Sequence, residues 1–166
     1  MRKARYMSAM PRISLFAFCV LLSSNALGAA GRPAPGFRDY TVRSIYRGPT
    51  YALLPKYKNA APKSGIVDGS QRKADFAGHY VAIQGSCGTG CSSFGAMDAK
   101  TGEIHWFPHT LILDEHSKLP KVRYLLTSKL LVLHCNLDEK PNTLGTYYYV
   151  FEARRFVRLR FLCTRR

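Results

Sequence analysis

Apolar and polar positions alternate along most of this chain, and the alternation sets the first expectations. From residue 76 onward the period is close to two. Segments 79–84, 91–98, 103–107, 122–126, 130–135, 146–151 and 156–162 each have the β-branched, aromatic or alternating make-up of a strand. The breaks between them read as hairpins. Asp98-Ala99-Lys100-Thr101-Gly102 offers an Asp side chain to cap a turn and a Gly for a positive-φ position. Thr127-Ser128-Lys129 and residues 152–155 mark two more turns, and Pro141-Asn142 with Gly145 a longer loop. A further strand is expected at 39–46 (DYTVRSIY), stopped by Gly48-Pro49. Between 50 and 75 the pattern fails. Residues 51–54 suit a single helical turn, Pro55 and Pro62 exclude a long helix, and 63–74 is polar and reads as a surface loop. The expected fold is all-β: an antiparallel meander of about eight short strands forming a sandwich or partly open barrel, with at most one short helix.

The N-terminus follows a different rule. Arg2, Lys3, Arg5 and Arg12 precede an apolar run at 13–22 (ISLFAFCVLL), which relaxes into small residues at 23–28. This is the layout of a secretory signal peptide, with Ala26-Leu27-Gly28 as the cleavage site and a cut after Ala30 as the alternative. The run is shorter than the roughly 20 apolar residues of a bilayer-spanning helix. Cys19 follows Phe18, so no lipoprotein-type motif is present. The expected organisation is a cleaved signal at 1–28, a flexible leader at 29–38 (AAGRPAPG, then FR), and a single β domain at 39–166. The product is expected in the periplasm or outside the cell, with no transmembrane segment after signal removal.

Composition narrows the picture further. With 166 residues and 46% hydrophobic content, the chain is too apolar for disorder and long enough for one core. Cleavage takes the formal charge from +15 to +11 and leaves four cysteines. In an oxidising compartment four cysteines read as a disulfide framework with three possible connectivities. Cys87-Gly88-Thr89-Gly90-Cys91 is a tight glycine loop; Cys135 and Cys163 each end an apolar run. The favoured pairing is Cys87 with Cys91 and Cys135 with Cys163.

Several chemistries can be weighed against these residues. The single D-x-x-T-G-x-x-x-W stretch at 98–106 suits a propeller blade, but one copy in so short a chain is a hairpin signature only. Gly88-Thr89-Gly90 lacks the following helix of a phosphate cradle. Cys87 and Cys91 lie at C-x3-C spacing with no thioredoxin-like βαβ pattern. A zinc set of Cys87, Cys91, His134 and Cys135 competes with thiol oxidation, and alternation sends His134 and Cys135 to opposite sides of a strand. No metal or cofactor is expected. Of five histidines (79, 105, 109, 116 and 134), His79 with Ser86, Ser92 or Ser93 is the base and nucleophile set a hydrolase would use. No nucleophile-elbow G-x-S-x-G accompanies it. Arg158 and Arg160 alternate with Val157, Leu159 and Phe161 and read as a basic strand face. In a cytosolic protein such a face beside Tyr147 and Tyr149 would point to nucleic acid. Export excludes that and leaves an anionic envelope polymer, lipid headgroups or an acidic protein, with solvated arginines as the plain alternative.

Phe76-Ala77-Gly78-His79-Tyr80, then Gly85-Ser86-Cys87-Gly88-Thr89-Gly90-Cys91, then Asp98-Ala99-Lys100-Thr101-Gly102 together resemble a widespread family of small exported bacterial proteins of unknown function. Its members read F-A-G-x-Y, G-C-G-x-G-C and D-x-K-T-G in this order, and the strand pair at 124–132 and the segment 147–151 continue the likeness. Ser86 and Ser92 depart from the usual Gly and Gln, and 56–74 is an insertion-like stretch. The resemblance implies a compact fold with the glycine-cysteine loop as its most distinctive surface, and no reaction or ligand. The function expected is a non-enzymatic periplasmic binding module of an inhibitor or immunity type, using Gly88, Thr89 and Gly90 or the Arg158/Arg160 face. The alternative is an envelope-acting hydrolase using His79 and polar groups near the Cys87–Cys91 loop.

Overall fold

A computed structural model describes residues 33–60, 63–113, 121–138, 140 and 143–163. The signal segment at 1–28, Pro62, His116, Pro141, Asn142, Arg165 and Arg166 lie outside the described residues. Eight strands form one antiparallel sheet: β1 (Tyr80–Gly88), β2 (Cys91–Asp98), β3 (Ile104–Trp106), β4 (Leu111–Leu113), β5 (Val122–Leu125), β6 (Ser128–Leu137), β7 (Gly145–Glu152) and β8 (Arg155–Cys163). Their order is β1-β2-β4-β6-β7-β8, with β3 paired to β2 and β5 to β6. The all-β, open-sheet expectation holds. β4 couples the two halves of the sheet, since Leu111 pairs with Ser92 on one side and Leu137 on the other. Three residues are too few to display a period, so the sequence did not mark β4.

Period-two burial builds the cores. One face contributes Tyr80, Ala82, Phe94, Ala96, Leu131, Leu133, Cys135, Tyr147, Tyr149 and Phe151 to a core around Phe76. The rings of Tyr80 and Phe151 meet at 4.7 Å and those of Phe94 and Phe156 at 5.9 Å, so the first strands fold back onto the last. The opposite face of β1 and β2 buries Val81, Ile83 and Met97 with Ile104 against Ile66. Both faces of this hairpin are therefore covered.

Two expectations are corrected. Segment 39–46 is not a strand. Phe37–Tyr40 is a 3-10 turn, in which the Asp39 carboxylate accepts the Gly36 N–H at 2.8 Å. Beyond this turn the segment makes one bridge, Thr41 to Ser128. The bridge cannot lengthen into a strand, because Ser128 follows directly on the 126–127 turn and β7 pairs with β6 from Leu130 onward. Residues 63–74 are not a loop either: Lys63–Gln71 is a helix, α1. Its Gly65 and Gly69 face β1 so closely that a Cβ on Gly65 would overlap the Gln84 carbonyl oxygen, and one on Gly69 the Ile83 side chain. Ile66 is its one fully buried large residue.

Candidate functional site

The β1–β2 hairpin ends in the glycine loop. Cys87 and Cys91 are joined by a disulfide, with Cα atoms 5.3 Å apart. A bulge falls between Ser86 and Gly88, and the Ser86 hydroxyl closes it, donating to the Gly88 carbonyl at 2.9 Å and accepting its N–H at 3.3 Å. Gly88 (φ 145°) and Gly90 (φ 72°) hold conformations that a side chain disfavours, and a Cβ on either would meet nothing within 4 Å. Residues 86–90 are exposed. The result is a pinned tip that stands clear of the body.

The second expected bridge is not formed. Cys135 on β6 pairs with Gly145 on β7, and Gly145 pairs with Cys163 on β8. The two cysteines thus lie two strand spacings apart, about 9–10 Å, beyond the roughly 6.8 Å Cα separation that a disulfide spans. Cys135 is a buried thiol, and burial pushes its pKa up to about 12.

Arg158 and Arg160 do not share a face. A bulge shifts the β7–β8 register between Tyr148 and Tyr149, so Tyr148 opposes Arg160 while Tyr149 opposes Arg158. One extra residue sends the two arginines to opposite sides of the sheet. Arg160 donates to the Pro33 carbonyl at 3.1 Å and helps hold the chain entering the fold. Arg158 is exposed beside Tyr149, whose hydroxyl is buried without a hydrogen-bond partner among the described residues. Burial pushes the Tyr149 pKa up to about 12.

His79 lies at the other end of β1 from the tip. Its Nε2 is 3.6 Å from the Asp98 carboxylate, and its ring centroid lies 4.2 Å from that of Tyr80. Burial lowers its pKa, against the opposing pull of Asp98. Ser86 lies six residues beyond Tyr80, the first residue of β1, about 20 Å along it at strand rise, and Ser92 is its register partner on β2. The base and nucleophile offered by the sequence therefore do not converge.

What surrounds His79 instead is a cleft of about 140 Å³ lined by Ala77, His79, Tyr80, Lys129, Phe151, Glu152, Ala153 and Arg154. His105 flanks it, with its ring 6.0 Å from those of both Tyr80 and Phe151. Burial and the nearby Arg154 charge lower the His105 pKa. The Lys129 ammonium is 3.6 Å from Glu152. Sequence reasoning found His79 here but missed Arg154 and Tyr80, because the cleft joins the start of β1 to the β7–β8 turn, over 70 residues away in the chain. It also missed the contact between His109 and Asp138, at 2.7 Å, where Asp138 also accepts the Thr110 N–H at 3.1 Å. This pair ties the approach to β4 to the end of β6. No family model, curated protein or solved structure matches the chain.

Proposed function

We propose that this chain is a non-enzymatic binding module of the periplasm or the extracellular space, and that the Cys87–Cys91 tip is its recognition surface, of an inhibitor or immunity type. The observation that carries this reading is the exposed, bridged loop with open space around Gly88 and Gly90. A connection between two strands needs only two residues and no bridge. The additional construction holds a loop in one shape, so it loses little conformational entropy when a partner closes over it. The bridge also fits an oxidising compartment. Among the described residues no helix is long and apolar enough to cross a membrane. Part of the motif set behind the family likeness converges on this hairpin: Phe76 bridges to Tyr80 at its root, Cys87 and Cys91 close its tip, and the Asp98 side chain caps the turn after β2.

The test is a comparison of the exported chain with its Thr89→Trp variant, both used to capture partners from envelope extract with identification by mass spectrometry. Thr89 is exposed, so the variant is expected to unfold at the parent's temperature while losing the captured partner. Equal capture by a variant of unchanged stability would assign the loop to scaffold alone.

A further inference from the structure

The cleft at the root of the β1–β2 hairpin carries an inference independent of the tip. Four non-glycine residues have positive φ among the described residues: Ala77 (44°), Asp138 (55°), Ala153 (47°) and Arg154 (62°). Three of these four line this one cleft. Glu152 pairs with Arg155, so Ala153 and Arg154 form a two-residue hairpin turn with both residues left-handed. That geometry favours Asn-Gly, and an Ala-Arg pair adopts it only at a cost in backbone strain. Strain that gathers at a single cavity marks a place where position matters more than stability.

The groups held there are unspent. The other acidic clusters are internally paired: Glu103 with Lys56 and Tyr57, Asp75 with Arg72, Asp138 with His109. At the cleft, Arg154 has no ion-pair partner among the described residues, while Lys129 is held by Glu152. The two imidazoles of His79 and His105 gather around an aromatic floor of Tyr80 and Phe151. Arg154 leaves one uncommitted guanidinium, a planar fork that takes a carboxylate through two hydrogen bonds. Glu152 and Asp98 lie close by and would repel a dianion. At about 140 Å³ the cleft is close in volume to a cavity of about 150 Å³ that takes one benzene ring.

We propose that this cleft binds a small monocarboxylate with a flat apolar body, its carboxylate on Arg154 and its body on Tyr80 and Phe151. The experiment is a titration of the folded protein with benzoate, followed by nuclear magnetic resonance at His79, Tyr80 and Phe151, with benzamide and inorganic phosphate as comparisons. Saturable shifts are expected with benzoate in the millimolar range or tighter, and weak or no shifts with benzamide or phosphate. Arg154→Gln should weaken benzoate about tenfold or more, as expected for loss of a charge-assisted contact. A second variant keeps the test clear of folding defects. Ala153→Asn with Arg154→Gly installs the favoured turn residues, and should raise the melting temperature while abolishing binding. Absence of saturable shifts up to the solubility limit, equal response to benzamide, or full binding by the stabilised double variant would each overturn the proposal. A preference for phosphate would overturn the carboxylate assignment. Thr89→Trp, at the far end of the hairpin, should leave benzoate binding unchanged, which separates this site from the tip.

Discussion

Cys135 shows how much a single position depends on what lies beside it. Its thiol is fully buried on β6, and desolvation pushes its pKa up to about 12 from an ordinary 9.0. The thiolate is the reactive form, so at pH 8 the folded protein presents almost none of it at this site. Iodoacetamide is expected to leave Cys135 unmodified in the native protein and to alkylate it fully in denaturant, as read by peptide mass spectrometry. Native-state labelling at the rate of a free thiol would contradict this burial. The same position explains why the Cys135–Cys163 pairing looked plausible from sequence. Both residues end apolar runs, and strand ends do gather at sheet edges; nothing in the runs says that β7 passes between them with Gly145 in register. Arg158 and Arg160 teach a similar lesson, because alternation assigns faces correctly only until a bulge adds one residue.

At the scale of elements, the strands were legible because burial on a pleated sheet repeats every second residue, and seven expected segments coincide with seven of the eight strands. The Asp98 turn was legible for a local reason as well. Asp98 accepts the Lys100 N–H at 2.8 Å and Gly102 sits at φ 74°, both fixed by residues within the turn. Helix α1 was hidden because its docking surface is made of absences. A helix that packs through Gly65 and Gly69 shows one large buried side chain where an amphipathic helix usually shows a stripe. This predicts an inverted response to a substitution that normally favours helices. Gly65→Ala gains roughly 0.5–1 kcal/mol of helix propensity, yet its methyl group would overlap the Gln84 backbone. Overpacking of this kind costs roughly 1–3 kcal/mol, and a clash with backbone belongs at the upper end, so a net loss of up to about 2.5 kcal/mol is expected in urea unfolding. A variant as stable as the parent, or more so, would show that α1 does not dock through this glycine. The cleft and the contacts between distant segments were illegible for a further reason: His79 and Arg154 meet only once β1 has been folded against the β7–β8 turn, and no local pattern encodes that encounter.

For the whole molecule, burial of titrating groups on both sides of neutrality sets a stability profile. His79 and His105 have pKa values lowered from 6.5 chiefly by burial, the first opposed by Asp98 and the second reinforced by Arg154. Below pH 6.5 the unfolded chain therefore binds more protons than the folded one, and stability must rise with pH through that range. At Asp138 desolvation pulls the pKa up, but hydrogen bonds from His109 and Thr110 outweigh it and hold the carboxyl low. That group adds a loss of the same sign at more acidic pH. On the alkaline side the sign reverses. Tyr149 and Cys135 both have pKa values pushed up to about 12 by burial, from 10.0 and 9.0. Above about pH 9 the folded chain keeps protons that the unfolded chain releases, so stability falls as pH rises. The expected profile is a plateau between roughly pH 7 and pH 9 with a decline on either side. Thermal unfolding recorded from about pH 4.5 to 11 on the parent and on a His79→Gln, His105→Gln variant checks both limbs. The variant should flatten the decline between roughly pH 6.5 and 5 and leave the alkaline limb in place, since Tyr149 and Cys135 lie elsewhere in the core. An acid limb that keeps its full slope without the two imidazoles would place its origin in other groups, and would remove the argument that they are held neutral beside Tyr80.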